Sequence, residues 1–251
     1  MGHWYRLLVG GAALLSGFVA CAVDDVVGTR VSSNVTTDAG GNDAAQTDPS
    51  CADMLFCSSF DQGLGDFDTV QNGGTLTVAP QGFDDTAALL PEIGEGSGTA
   101  YLHTALNTPG LRELYLRAYV WVATDAVIDD VAIFFLGPAG GFAGINVDLL
   151  SEDRWELFLP EHDVSLISDP GTFERNTWHC VQLHLIVDDS NGEASLVVDG
   201  QQVTGQMLLD TYPGEDLDLF TVGIGWSMAE QGPIDLLIDD VALSQTPVEC
   251  L

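Results

Sequence analysis

From position 51 onward, apolar residues recur at every second position, the period of a strand that buries one face. The clearest run is Glu113 to Val122. There Leu114, Leu116, Ala118, Val120 and Val122 alternate with Glu113, Tyr115, Arg117, Tyr119 and Trp121. Val181, Leu183, Leu185 and Val187 alternate with Gln182, His184 and Ile186. Phe220, Val222, Ile224 and Trp226 alternate with Thr221, Gly223 and Gly225. Shorter apolar runs predict further strands within Met54–Phe60, Thr75–Val78, Val131–Leu136, Gly144–Leu150, Trp155–Leu159, Ala194–Val198 and Ile234–Leu243. Turn-forming residues separate them, at Asn72-Gly73-Gly74, Gly137 to Gly141, Asp189 to Gly192 and Asp199-Gly200. No window follows the helical period. Many short strands joined by polar turns predict an all-β, antiparallel sandwich or barrel. Asn191-Gly192 and Asp199-Gly200 are expected to form tight hairpin turns, since both dipeptides readily supply positive φ.

The pattern upstream of position 51 is different. Leu7 to Ala20 is an apolar run behind a single basic residue, Arg6, and small residues follow it. Basic, apolar, then small is the order of an export signal, and the run is short for a permanent transmembrane span. Phe18-Val19-Ala20-Cys21 resembles a bacterial lipobox, in which the cysteine is diacylated and becomes the mature first residue. The resemblance departs at Phe18, where Leu is usual. The alternative is ordinary cleavage at Ala20-Cys21-Ala22, an A-x-A pattern. Residues 22–50 contain no aromatic side chain and are rich in Ala, Gly, Thr, Ser, Asn and Asp. Such a segment cannot bury enough apolar surface to order itself. The expected organisation is therefore a lipoprotein signal peptide over 1–20, a flexible linker over 21–50 with lipidated Cys21, and one β-sandwich domain over 51–251. The lipobox implies an exported, membrane-anchored protein. Ala22, not Asp, after the lipidated cysteine implies sorting to the outer membrane or cell surface.

Lipidation of Cys21 leaves Cys51, Cys57, Cys180 and Cys250, an even set in an exported chain, where thiols oxidise to disulfides. Zinc is the competing use of four cysteines, but no C-x2-C pair is present. Three pairings are open. The expectation is Cys51 with Cys250, joining the domain's start to its end, and Cys57 with Cys180. Charge narrows the partners. The chain has 38 acidic residues against six basic ones, all Arg, for a formal net charge of −32. That field repels nucleic acid and anionic lipid, so no nucleic-acid partner is expected, and membrane contact is expected through the lipid alone. It also repels polyanionic glycans unless Arg residues gather at a site. Acidic side chains near turns are ordinarily solvated, though Asp-rich loops also suit Ca²⁺.

Trp178 to Leu185, the turn Ser190 to Glu193, Ala194 to Gly200, Leu219 to Gly225 and Ile238 to Leu243 together resemble a concanavalin A-like (LamG-type) jelly-roll domain. Leu55 to Asp61 resembles its first strand. The resemblance covers most of 51–251 and implies a fold more than an activity, because lectins, glycan-binding modules, hydrolases, polysaccharide lyases and adhesion domains share it. It implies a sugar-binding sheet surface opposite the core. On that face Tyr115, Arg117, Tyr119 and Trp121 would bind a glycan, with rings stacking on pyranose C–H surfaces and Arg117 orienting hydroxyls or carboxylates. Tyr and Trp also favour strands for their own sake, and loops can cover such a face. Gln182 and His184 belong to the same face if their strand is a neighbour. Arg, Gln, His and Tyr resemble the set of alginate-lyase-like jelly rolls. That resemblance implies Arg117 and Gln182 neutralising a uronate carboxylate, and His184 with Tyr115 or Tyr119 moving the proton. The Arg-rich strand and the closing Tyr-Lys strand of that family are absent here. The E-x-D-x-x-E run of laminarinase-type hydrolases is also absent. Glu152, Asp153 and Glu156 come nearest, with the wrong spacing and an intervening turn. Jelly rolls of this kind hold a structural Ca²⁺ where first and last strands meet, which implies Asp61 with Asp239 or Asp240 as ligands. The alternative for these residues is protection of an edge strand from aggregation. The favoured function is non-catalytic glycan binding at the cell surface. A uronate-polymer lyase and an adhesion domain that binds a protein partner are the alternatives. The adhesion reading predicts a covered sugar face and an apolar patch elsewhere.

Overall fold

The structure, a computed structural model, describes residue 51, residues 53–141, residues 143–229 and residues 231–251. The export signal, Cys21 and the linker over 21–50 lie outside the described residues. Among the described residues, fifteen strands follow in chain order. They begin with β1 (Phe56–Ser58), β2 (Asp68–Asn72), β3 (Gly74–Ala79), β4 (Ala88–Ile93) and β5 (Thr99–Ala105). Next come β6 (Glu113–Val122), β7 (Asp130–Gly137), β8 (Ile145–Leu150), β9 (Arg154–Leu159) and β10 (Val164–Ile167). The last are β11 (Trp178–Ile186), β12 (Gly192–Val198), β13 (Gln201–Leu209), β14 (Leu219–Ser227) and β15 (Ile234–Ser244).

The strands form two sheets in which every pair of named strands is antiparallel. The first runs β13-β12-β11-β6-β15-β4-β3, with β1 also on β15, and the second runs β10-β9-β8-β7-β14-β5-β2. The fold is an antiparallel β-sandwich, one of the two arrangements, sandwich or barrel, that the alternation allows and the one that the resemblance implies. The core lies between the inward faces: Leu114, Leu116, Val120, Val181, Leu183 and Leu185 from the first sheet, and Val147, Leu149, Trp155, Phe220, Val222 and Ile224 from the second, all buried. Removing a side chain of this size from water contributes about 1.5–3 kcal/mol, so the period-two pattern decides which face of each strand turns inward.

Five strands escape the alternation. Three of them, β2, β10 and β13, lie at ends of the two sheets; β2 is mostly polar, and β13 mixes Gln, Thr and Gly with exposed Met207 and Leu208, so neither carries the signal. The other two are β4, which contains Pro91, a residue that argues against a strand in sequence, and β5, where Tyr101 and His103 alternate with Ala100 and Leu102 so that both faces carry bulky groups. The two predicted turns divide. Asp199 and Gly200 both have positive φ, 50° and 77°, as a tight hairpin between β12 and β13 requires. Asn191-Gly192 does not form such a turn. Asp188 Oδ1 instead accepts from the backbone N–H groups of Ser190 and Asn191, and Gly192 opens β12. Glycine is needed there for closeness, because a Cβ would collide with Thr211 Oγ1.

The disulfides correct the expected pairing. Cys51 bonds to Cys57 and Cys180 to Cys250. β1 sits on β15 with Cys57 opposite Ala242, and the bridge to Cys51 closes locally. Cys180, on the face of β11 away from the core, instead holds the segment that follows β15. A second tie fixes the loop between β3 and β4. Buried Asp239 accepts hydrogen bonds from Phe83 N at 2.8 Å and Thr86 Oγ1 at 2.7 Å.

The chain-entropy relation gives about 4 kcal/mol for the 70-residue loop closed by Cys180–Cys250 and about 2 kcal/mol for the six-residue loop closed by Cys51–Cys57. Replacing both cysteines of each bridge by Ser, with stability read from urea unfolding, should reproduce that ranking. An equal or reversed ranking contradicts it. Desolvation raises the Asp239 carboxyl from an ordinary 3.8 to about 6, against the pull of hydrogen bonds from Thr86, Asp240 and Phe83. A carboxyl raised in the fold holds its proton more tightly there. Its contribution is complete below about pH 4 and is lost as pH rises through about 6. In chelator-containing buffer the melting temperature should fall from pH 4 to pH 7, and Asp239→Asn should make the fall shallower. A steeper fall in the variant would refute this origin.

Candidate functional site

The register of β6 between β11 and β15 sets the outward face of the first sheet into rows. Trp178, Trp121 and Leu237 form one row, and Cys180, Tyr119 and Asp239 the next. Gln182, Arg117 and Ala242 come third, then His184, Tyr115 and Ser244. All six of the sequence-derived glycan and lyase candidates therefore share one face on two adjacent strands, which the alternation of each strand required once they paired.

Residues 245–251 cross the middle of this face. Gln182 Nε2 donates to Val248 O at 2.7 Å, and Arg117 Nη1 donates to Glu249 O at 3.3 Å. Arg117 Nε and Nη2 both donate to Asp240 O. The Tyr119 hydroxyl donates to Leu251 O and accepts from Leu251 N. The ring of Tyr119 also stacks on Phe83 with centroids 3.7 Å apart. Arg117 and Tyr119 are accordingly buried, at 8% and 3% exposure. Their polar atoms, with the Gln182 amide, serve backbone carbonyls of this chain.

The two ends of the face stay accessible. At one end, the Tyr115 ring stacks on His184 with centroids 4.5 Å apart. Tyr115 donates to Glu113 Oε1 at 2.7 Å, and His184 Nε2 lies 3.1 Å from the same oxygen. The Tyr115 and His184 contacts hold the Glu113 carboxyl below its usual range, and the bond to Glu113 raises the Tyr115 phenol. At the other end, half-buried Trp121 and Trp178 lie side by side as a cross-strand pair. They border a groove of about 680 Å³ with Leu90 and Leu237, and Gln81 and Asp85 on the β3–β4 loop supply polar atoms. Asp239 holds that loop in place through Phe83 and Thr86. Trp178 shares the outward parity of Gln182 and His184, so its place on this face was readable. Its pairing with Trp121 was not, because that depends on register.

The expected calcium ligands take part in hydrogen bonds within the chain. Asp61 accepts from Ala87 N at 3.0 Å and Ser59 Oγ at 3.1 Å, and Asp239 accepts from Phe83, Thr86 and Asp240. The Asp240 carbonyl serves Arg117. These groups lock the β3–β4 loop to the first and last strands with hydrogen bonds. Carboxylates that converge on one point, among the described residues, lie on the second sheet instead. Asp130, Asp148 and Glu156 each offer an oxygen, all within 4.8 Å of one another. Asp148 on β8 faces Glu156 on β9 directly and Ala132 on β7, and Asp130 is two residues from Ala132 on the same side. Asp148 and Glu156 are buried, and Ser165 Oγ donates to Glu156 Oε1. Desolvation first, then Asp130 and Glu156, raises the Asp148 carboxyl well above its usual value. Desolvation, then Glu156 and Asp129, raises Asp130 to about 6. Each residue alone sits at an ordinary outward position, so only the β7–β8–β9 register brings them together.

No protein-family model matches this sequence, and comparison with curated proteins finds no match. Solved structures share the fold at low identity. An endo-β-1,4-glucuronan lyase from the fungus Trichoderma reesei superposes with a TM-score of 0.58 at 16% identity, over 77% of this chain and 96% of that one. The cellulose-induced protein Cip1 gives 0.60 at 15% identity, over 78% of this chain and all of its own. The alginate lyase vAL-1 from a Chlorella virus gives 0.53 at 9% identity, over 77% of this chain and all of its own. The chain thus shares its sandwich architecture with these polysaccharide lyases and with a cellulose-induced protein.

Proposed function

We propose that this chain is an exported lipoprotein whose β-sandwich binds a glycan without cleaving it, in the groove beside Trp121 and Trp178. The observation that carries the reading is this pair of indoles, side by side and half-buried. Flat apolar faces with polar atoms nearby suit the alternating C–H and hydroxyl surfaces of a sugar ring. Gln81 and Asp85 would accept or donate to hydroxyls. Tyr115, at the far end of the same face, would contact a longer chain, whereas Arg117 and Tyr119 act from below by holding the covering segment. The net charge of −32 favours a neutral glycan over a polyanion. Lipidation at Cys21 and the tether over 22–50 would place the domain at the outer membrane or cell surface. That two of the similar structures are lyases of glucuronan and alginate agrees with a carbohydrate ligand. Catalysis of that kind has less support here. The donors of Arg117 and Gln182 that would neutralise a uronate carboxylate are engaged by the carbonyls of Val248, Glu249 and Asp240.

The test is affinity of the full chain for a panel of neutral and uronate polysaccharides, with ultraviolet absorbance followed for new C=C bonds. Trp121→Ala and Trp178→Ala should each weaken binding about tenfold, roughly 1.4 kcal/mol, with no growth in absorbance. Absorbance growth that His184→Ala abolishes would replace this reading with the lyase. Retention by no polysaccharide would replace it with a protein-binding surface domain.

A further inference from the structure

We infer that Asp130, Asp148 and Glu156 form a binding site for a hard divalent cation of the Ca²⁺ class, bridging three adjacent strands of the second sheet. Three observations meet there. First, the ligand oxygens all lie within 4.8 Å of one another. Two oxygens on opposite sides of Ca²⁺, each at about 2.4 Å, are about 4.8 Å apart, so the group has the dimensions of one coordination sphere. Second, Asp148 is only 4% exposed, and its Oδ1 has no hydrogen-bond partner. Asp130 Oδ1 is likewise buried without one. A buried carboxylate oxygen with no donor loses its hydration and receives nothing in exchange. Third, Arg154, two residues before Glu156 on β9, pairs with Glu152 instead. Three carboxyl groups that, among the described residues, have no ion pair with a basic side chain, two of them with a buried oxygen lacking a hydrogen-bond partner, are a set of donors suited to a cation.

The donor chemistry selects the class of ion. All ligands are carboxylate oxygens, with neither His nor Cys, which excludes a preference for soft or borderline metals. Ser165 donates to Glu156 Oε1, fixing that carboxylate and leaving its second oxygen for the ion. Asp130 is only partly buried, so the ion reaches the site from that side, where water completes the shell. Bound there, a cation ties β7, β8 and β9 together through side chains in addition to their backbone ladder. The site is distinct from the Asp61 and Asp239 region, whose carboxylates are filled by backbone and hydroxyl donors.

The experiment is thermal unfolding of the full chain after stripping with chelator, across a CaCl2 series, with MgCl2 at matched ionic strength and equilibrium dialysis against ⁴⁵Ca²⁺. We expect one tightly bound Ca²⁺, and a melting temperature that rises by roughly 5–10 °C at a hundredfold excess over the dissociation constant. Asp148→Asn and Glu156→Gln should abolish the rise, yet melt no lower than the parent without metal, since each removes one of three crowded charges. Should Asp148→Asn fail to fold, Asp130→Asn, at the open side, should still lose the response. The inference is overturned if the stripped parent binds no Ca²⁺ at 1 mM. It is equally overturned if Ca²⁺ and Mg²⁺ stabilise parent and variants alike, which would be screening of the acidic surface. Neither readout involves a glycan, so this result stands apart from the outcome at the Trp121 groove.

Discussion

The pairing of β6 with β11 on one side and β15 on the other governs the rest of the molecule. It directs Leu114, Leu116, Val120 and Val122 into the core with Val181, Leu183 and Leu185. By the same parity it sets Tyr115, Arg117, Tyr119 and Trp121 outward beside His184, Gln182, Cys180 and Trp178. A slip of one residue would exchange these two sets, placing Arg117 in the core and the leucines in solvent. The bulge between Asp239 and Ala242 matters as much, since the register of β15 on β6 shifts there. Just at that shift, Asp239 reaches the β3–β4 loop and the Asp240 carbonyl meets Arg117.

That outward face is then divided by the segment over 245–251. The Cys180–Cys250 bridge and the Gln182, Arg117 and Tyr119 hydrogen bonds all hold it to the central rows. The arrangement satisfies three polar side chains that would otherwise sit on an apolar-backed sheet, and it converts a broad surface into two separate ends. One end is the Tyr115–His184–Glu113 cluster, polar and exposed, and the other is the indole-lined groove. The groove depends on both ties at once: the segment over 245–251 secures Tyr119, and Asp239 secures the loop whose Phe83 stacks on Tyr119. Arg117, Tyr119 and Gln182 thus hold the segment that borders both ends of the face.

The extreme acidity of the chain has two structural expressions. Most carboxylates are solvated or terminate turns, as Asp188 does by accepting from Ser190 and Asn191. A few are buried, and the buried ones differ by partner. Asp239 is surrounded by donors and acts as a clamp. Asp148 and Asp130 lack donors on one oxygen each and face Glu156. In a medium of low polarity, this difference in hydrogen bonding separates a structural carboxylate from one that calls for an ion.

The sequence by itself determined the all-β, antiparallel class and the side of each well-patterned strand that faces the core. A two-residue period is a local property, and burial of large apolar groups enforces it wherever one face is covered. It also determined that Asp199-Gly200 would turn tightly and that the cysteines of the domain would oxidise. It did not reveal β4 or the polar edge strands, whose pairing comes from neighbours and not from their own composition. Nor could it choose the disulfide partners, show that residues 245–251 lie over Arg117 and Gln182, or join Trp178 to Trp121. Asp130, Asp148 and Glu156 were equally invisible as a group, since each occupies an ordinary outward position separated from the others by a turn. Contacts of that kind depend on register between strands, and register is an outcome of packing the whole sandwich, which no single segment encodes.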